Sequence, residues 1–254
     1  MSTPSLQAMI CGGALVMLRL SGLFVFAPIF SSPAIAPRIK AGFVFAVTLL
    51  IAPGIASTAG ALTEITVGAV VSELAVGLVF GLSLTMLSEM VLFASSLLGM
   101  QFSFSLVNLI DPVSKVETPV LGQLFGWVST LVLLAAGLHR TLLLAVIRSF
   151  EVVPVGTFVL SAKTGMAIAH MASGIFLAGV QLAAPVIAAA LTVEISVSLV
   201  SKLSPQLPAM ILSIPLKTMV SYVVLIGSLA VWPWFIERHF DRLLTDAGRL
   251  VAQR

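Results

Sequence analysis

Five ionisable side chains stand inside otherwise apolar runs of this sequence: Arg19, Glu73, Glu89, Glu194 and Lys217. A charge at the centre of a bilayer costs about 2.5–3.5 kcal/mol on insertion scales, so these groups are expected to face protein, water or each other. The competing reading puts them near helix ends, with the longer side chains snorkelling outward. Glu194 and Lys217 lie on neighbouring apolar segments and carry opposite charges. Each is therefore expected to be paired, with the other or with another chain. Intramembrane glutamates can also couple protons or cations to transport at broken helices, which keeps a small-solute secondary transporter in view. Such transporters usually carry matching halves, and this sequence shows none.

Other chemistry is thin. His139, His170 and His239 are far apart and form no HxxxH or HExxH pattern. No metal site and no cofactor is expected from such spacing. There is no GxSxG elbow, no Walker loop and no paired intramembrane aspartate, so no enzymatic activity is expected. The single cysteine, Cys11, excludes an intrachain disulfide and reads as a small apolar filler. Met86, Met90 and Met100 read as packing residues rather than a flexible seal.

The elements that must hold these residues are membrane helices. Of the 254 residues 59% are hydrophobic and only 9% charged, against about 25% charged in soluble domains. The mean hydropathy is +1.16. A net charge of +3 is too small to suggest nucleic acid. The expectation is an all-α membrane protein of about six hydrophobic segments, several broken or hairpin-like, forming one domain over 1–254. The run from Leu6 to Phe30 is too long for a signal-peptide core and has no positive charge before it, so it reads as a retained helix, although Ala34-Ile35-Ala36 resembles a cleavage site. Gly42 to Ala52 is short for a span unless it extends from Pro37. Ile65 to Leu98 is too long for one straight span and reads as a hairpin or two spans.

Pro119 to Gly137 and a shorter piece, Leu142 to Ile147, come next. Met166 to Val200 is interrupted by Pro185, and Ala209 to Phe235 by Pro215 and Pro233. Gly77 and Gly81, and again Gly122 and Gly126, are four apart, and Ser95, Gly99 and Ser103 continue the pattern. Small residues at this spacing let helix backbones approach closely. From 237 to 254 apolar residues recur at helical spacing between arginines, which marks an amphipathic C-terminal helix. Its arginines favour a cytoplasmic C-terminus.

Between the long segments lies a stretch of different character, Gly99 to Gln123. Phe102, Phe104 and Leu106 alternate with Ser103 and Ser105, which suits an extended segment. Phe102 and Leu106 are also four apart, so a helix remains open. Asp111-Pro112 breaks the chain, and Pro119 can start the next helix. Either this is an ordinary connecting loop, or it is irregular backbone buried in protein or lining a cavity.

Several of these runs resemble one family. Arg19-Leu20-Ser21-Gly22 through Ala27-Pro28, then Pro37-Arg38-Ile39-Lys40, is similar to the N-terminal signature of the FliR family of flagellar export proteins. So is the run from Glu73 to Gly81, while the stretch from Gly99 to Leu124 is similar to that family's central loop and the run from Leu182 to Lys217 to its C-terminal signature. Equivalent injectisome proteins, the SctT family, are close relatives, and Thr118-Pro119-Val120-Leu121-Gly122 after Asp111-Pro112 looks more flagellar. The chain departs from the family pattern at Ser72, at Pro208 and in Ala136-Gly137-Leu138-His139-Arg140.

The resemblance implies a channel subunit in a helical export gate, assembled with FliP-type and FliQ-type proteins and joined by others of the FlhB and FlhA types. The place implied is the flagellar basal body in the bacterial inner membrane, and the cargo is unfolded flagellar protein. The resemblance also implies that the central loop plugs the closed pore, which here means Phe102, Phe104, Leu106, Asn108, Asp111 and Pro112. Packing against partners would fall to Gly77, Gly81, Gly99, Gly122 and Gly126, and to the buried charges Arg19, Glu73, Glu89, Glu194 and Lys217.

Overall fold

The computed structural model describes residues 6–27, 36–58, 65–102, 120–204 and 209–252, nearly all of them helical and none in a strand. In an apolar medium the helix is the element that satisfies every backbone group from within one segment. The helices are α1 (Leu6–Phe26), α2 (Pro37–Thr58), α3 (Val67–Gln101), α4 (Val120–Ala135), α5 (Leu138–Val152), α6 (Ala162–Leu203), α7 (Ala209–Ser228) and α8 (Trp232–Ala252). Three of them, α2, α3 and α6, are long and apolar enough to cross a membrane alone, and α4 with α5 and α7 with α8 qualify as bent pairs. Hydroxyls inside these helices bond back to carbonyls of the preceding turn, as Thr48 does to Val44, Ser83 to Val79 and Thr130 to Gly126.

Several boundaries differ from the sequence expectation, each for a physical reason. The segment starts at Pro37, because a proline at the first helical position needs no N–H partner, and it runs on through Pro53 to Thr58. The segment read as a hairpin or two spans is a single helix of 35 residues, α3. It contains no proline and no turn, and its Gly77 and Gly81 serve packing. Thr66 Oγ1 caps its start by accepting the Ala69 N–H at 3.2 Å. Pro185 and Pro215 lie inside continuous helices α6 and α7. The last apolar segment does break, after Ser228, and Pro233 falls in the first turn of α8. The amphipathic tail therefore begins earlier than 237 and belongs to that helix. Between α4 and α5 the turn uses Gly137 at φ 68°, in the left-handed region that glycine enters without a Cβ penalty.

The chain forms two compact units. The first comprises described residues of 1–87, 136–172 and 239–254, and the second those of 88–135 and 173–238. Within the first unit α1 packs along α2 and against the first half of α3. The α1–α3 seam is glycine-built. A Cβ placed on Gly77 would lie 2.1 Å from the Arg19 carbonyl oxygen, on Gly22 2.8 Å from that of Leu74, and on Gly81 2.8 Å from that of Leu23. Backbone meets backbone there, so no flexible side chain can give way. Within the second unit Gly179 of α6 plays the same part against α3, where a Cβ would sit 2.8 Å from Phe93 Cδ1 and 3.0 Å from the Met90 carbonyl oxygen. Phe93 and Phe176 pack edge to face beside it at 5.2 Å.

The seam makes a graded expectation. Gly77→Ala should cost about 1–3 kcal/mol by overpacking, while Gly99→Ala and Gly126→Ala, whose added Cβ meets nothing within 4 Å, should keep stability or raise it by up to about 1 kcal/mol through helix propensity. Thermal unfolding of the purified chain in detergent reads the difference. Equal melting points for all three variants would show that the seam is not tightly packed.

Candidate functional site

The densest polar constellation sits on that glycine seam. Arg19 and Glu73 are both fully buried. Arg19 Nε donates to Glu73 Oε2 at 2.7 Å, and Nη2 donates to Oε1 at 3.0 Å, a two-pronged pairing. Nη1 donates to Ser149 Oγ at 2.9 Å and Nη2 also to the Val153 carbonyl at 3.3 Å. Four of the five guanidinium N–H groups thus have acceptors. The Phe150 ring closes one side, its centroid 3.9 Å from Arg19 Cζ. Ser149 uses its remaining proton on the Val146 carbonyl.

Glu73 takes a third hydrogen bond from the main chain. The Gly156 N–H donates to Oε1 at 2.8 Å, and Gly156 has φ 78°. The Thr157 N–H reaches the Pro154 carbonyl at 3.2 Å, which makes 154–157 a tight turn with its glycine where positive φ is required. Ser72, next to Glu73, accepts the Phe158 N–H at 2.9 Å and fixes the same connection one step on. Desolvating two ions costs several kcal/mol each, which only a saturated network of this kind offsets. The arrangement can hold helix register and join α1, α3 and α5. It presents no open position for a substrate.

The other charges behave differently. Lys217 Nζ donates to Glu194 Oε1, pairing α7 with α6 in the second unit. Their side chains are 18% and 46% exposed, so this pair remains reachable from outside the chain. Glu89 is exposed and has no ion-pair partner among the described residues. Gly77 and Gly81 lie on the seam, Gly99 and Gly122 are buried, Gly126 is half-buried, and a Cβ added at Gly99 or Gly126 would meet nothing within 4 Å. Phe102 is buried and stacks on Tyr222 with centroids 4.4 Å apart. Phe104, Leu106, Asn108, Asp111 and Pro112 lie outside the described residues. No cluster of three potential metal ligands occurs among the described residues.

Sequence reasoning missed Gly22, Gly179, Ser149 and Gly156. Gly22 had a signal, since it follows Arg19 by three and so shares its helical face. Gly156 had none, because the partner it serves lies 83 residues away.

Buried ion pair, glycine seam and bent apolar helices together define a helical integral membrane protein with tightly packed spans. Residues 10–243 match the family described as bacterial export proteins, family 1. The chain belongs to that family, the FliR family of flagellar export proteins. It is similar to the flagellar biosynthetic protein FliR of Bacillus subtilis (strain 168), with 28% identity over 94% of this chain and 93% of the relative. It is also similar to FliR of Escherichia coli (strain K12), 25% identical over 93% of this chain and 91% of the relative. FliR of Pectobacterium carotovorum subsp. carotovorum shows 25% identity with the same coverage.

Removing one partner of a buried pair typically costs about 3–5 kcal/mol. Glu73→Gln should therefore sharply lower the amount of folded protein in membranes. The double variant Arg19→Met with Glu73→Leu should recover part of the loss, since no orphaned charge remains. A double variant worse than the sum of the singles would contradict this account. Lys217→Met in the partly exposed pair should cost about 1 kcal/mol or less. A loss as large as that of Glu73→Gln would mean that Lys217 is buried in an assembly.

Proposed function

We propose that this protein is a gate subunit of the flagellar type III export apparatus, passing unfolded flagellar proteins across the bacterial inner membrane within the basal body. The observation that carries this reading is the family match across 10–243, nearly the whole chain. Its partners would be FliP-type and FliQ-type subunits in a hetero-oligomer, with FlhB-type and FlhA-type membrane proteins nearby, and the whole chain would act as one gate module. The broad apolar exposure of α4, α6 and α7, including Trp127, Phe176, Ile195 and Val223, supports extensive burial against lipid or such partners. A secondary transporter gains nothing from Glu73, whose carboxylate is committed to Arg19 and Gly156.

The stretch running on from Phe102 would form part of the closed-pore plug, with Phe102, Phe104 and Leu106 supplying apolar bulk and Asn108, Asp111 and Pro112 shaping the loop. A hydrophobic constriction excludes ions by dewetting. The aromatic stack of Phe102 on Tyr222 supports a closed resting position at the start of this stretch.

Complementation tests the function. Expression in Escherichia coli lacking its own FliR should restore swimming and secretion of filament protein, provided the foreign subunit assembles. Exchanging the matched core, 10–243, into the host FliR guards against failed assembly, and non-motile cells with an assembled chimera would sink the proposal. The plug reading has its own assay. Changing Phe102 and Phe104 to Ala, or deleting residues 105–113, should raise small-ion permeability of cells with cargo supply switched off. Unchanged permeability with an assembled complex would make the stretch a connector only.

A further inference from the structure

A cavity of about 480 Å³ opens in the first unit between α5 and the end of α8, with Phe80 of α3 contributing to its wall. This volume lies in the range of small-molecule pockets, about 300–1,000 Å³. One face of α5 lines it, including Leu144, Arg148 and Val152, while the opposite face, with Leu142, Val146 and Phe150, is buried. Arg249 and Gly248 line it from α8. Among its lining residues are two arginines and no carboxylate. Arg249 does have an acidic neighbour, Asp246, at 3.7 Å, but the arginine is 73% exposed there and the long contact leaves most of its donors available. Arg148 is exposed and forms no ion pair among the described residues.

An apolar slot with a cationic rim has a specific chemical complement: a molecule with an anionic head and a hydrocarbon body. We propose that this cavity binds an anionic phospholipid, its phosphate held between Arg148 and Arg249 and an acyl chain lying along Leu144, Val152 and Phe80. Arginine suits the head because its planar fork matches phosphate oxygens. The amphipathic α8 keeps its apolar face, with Phe240, Ala247 and Leu250, buried within the chain and leaves Arg249 exposed at the cavity. Phosphate alone would satisfy the arginines but leave the slot empty. Ser149 lines the same cavity and accepts a hydrogen bond from Arg19, so the bound lipid would cover the outer wall of the buried ion pair.

Two variants separate the head from the chain. Arg148→Gln with Arg249→Gln removes the cationic rim. Gly248→Leu keeps both arginines and fills the slot, and a Cβ on Gly248 meets nothing within 4 Å, so the backbone need not move. The full chain, purified in detergent and freed of lipid, is titrated with phosphatidylglycerol, phosphatidylcholine and inorganic phosphate, with bound lipid counted by native mass spectrometry. The parent should retain one phosphatidylglycerol in preference to phosphatidylcholine. Each arginine near a headgroup contributes roughly a fivefold preference, so the double glutamine variant should lose on the order of 25-fold. Gly248→Leu should lose retention with the charge intact. Melting curves in phosphatidylcholine must match the parent for each variant used. If a variant melts early, Leu144→Gln replaces it for the chain and the Arg148→Gln single variant for the head. Phosphatidylglycerol retention equal to the parent's in either the rim variant or the slot variant overturns the proposal. Competition by inorganic phosphate as strong as that by the lipid would mean a free-anion site, and overturns it too.

Discussion

The first unit depends on one desolvated contact, Arg19 with Glu73. Two ions are removed wholly from water, and the cost is met because nearly every donor and acceptor around them is used. The glycines on the same seam make the contact possible. Gly22 and Gly77 bring the α1 and α3 backbones to a separation that any side chain would widen, and the two ions lie one helical turn from them. Close packing sets the distance between the helices, and the ion pair sets their register. Neither could do the other's task, since dispersion contacts between smooth glycine surfaces tolerate sliding and a charge pair alone tolerates separation.

The two ion pairs show how burial changes the meaning of the same chemistry. Arg19 is closed in by Phe150, Ser149 and the Val153 carbonyl and has no access to solvent. Lys217 and Glu194 meet on the faces of α7 and α6 and stay partly open. A planar guanidinium can serve several acceptors at once, which suits the closed site, whereas a lysine ammonium carries a flexible point charge suited to a changing environment.

Much of the helical architecture was legible in the sequence, because apolar run length and charge spacing translate directly into membrane helices. Arg19 and Glu73 stood out for the same reason, as ions in a medium that penalises them. Their pairing with each other was not legible. Nothing in the local pattern distinguishes a glutamate held by Arg19 from one turned outward, as Glu89 is. The single long α3 was misread because length alone was weighed, although the absence of proline and the capping threonine at 66 pointed to continuity. Proline proved a weak boundary signal in α6 and α7 and a good one at the start of α2 and α8, since only a first-turn proline avoids breaking a hydrogen bond.

The turn at Gly156 has a consequence for biosynthesis. Ribosomes deliver the chain from its N-terminus, so Arg19 and Glu73 can meet while Ser149, Val153 and Gly156 are still unmade. Gly156 follows Glu73 by 83 residues, a delay on the order of 4–17 s at about 5–20 residues per second. Throughout that interval the carboxylate lacks its backbone donor and the guanidinium lacks two acceptors. A newly inserted pair of helices in this condition remains incompletely neutralised by its own chain, and water or headgroups must supply the missing partners. Arrival of the 149–156 segment expels those substitutes. The hydrogen bonds around Arg19 and Glu73 can therefore be completed only after residue 156 has been made, whenever the first helices insert.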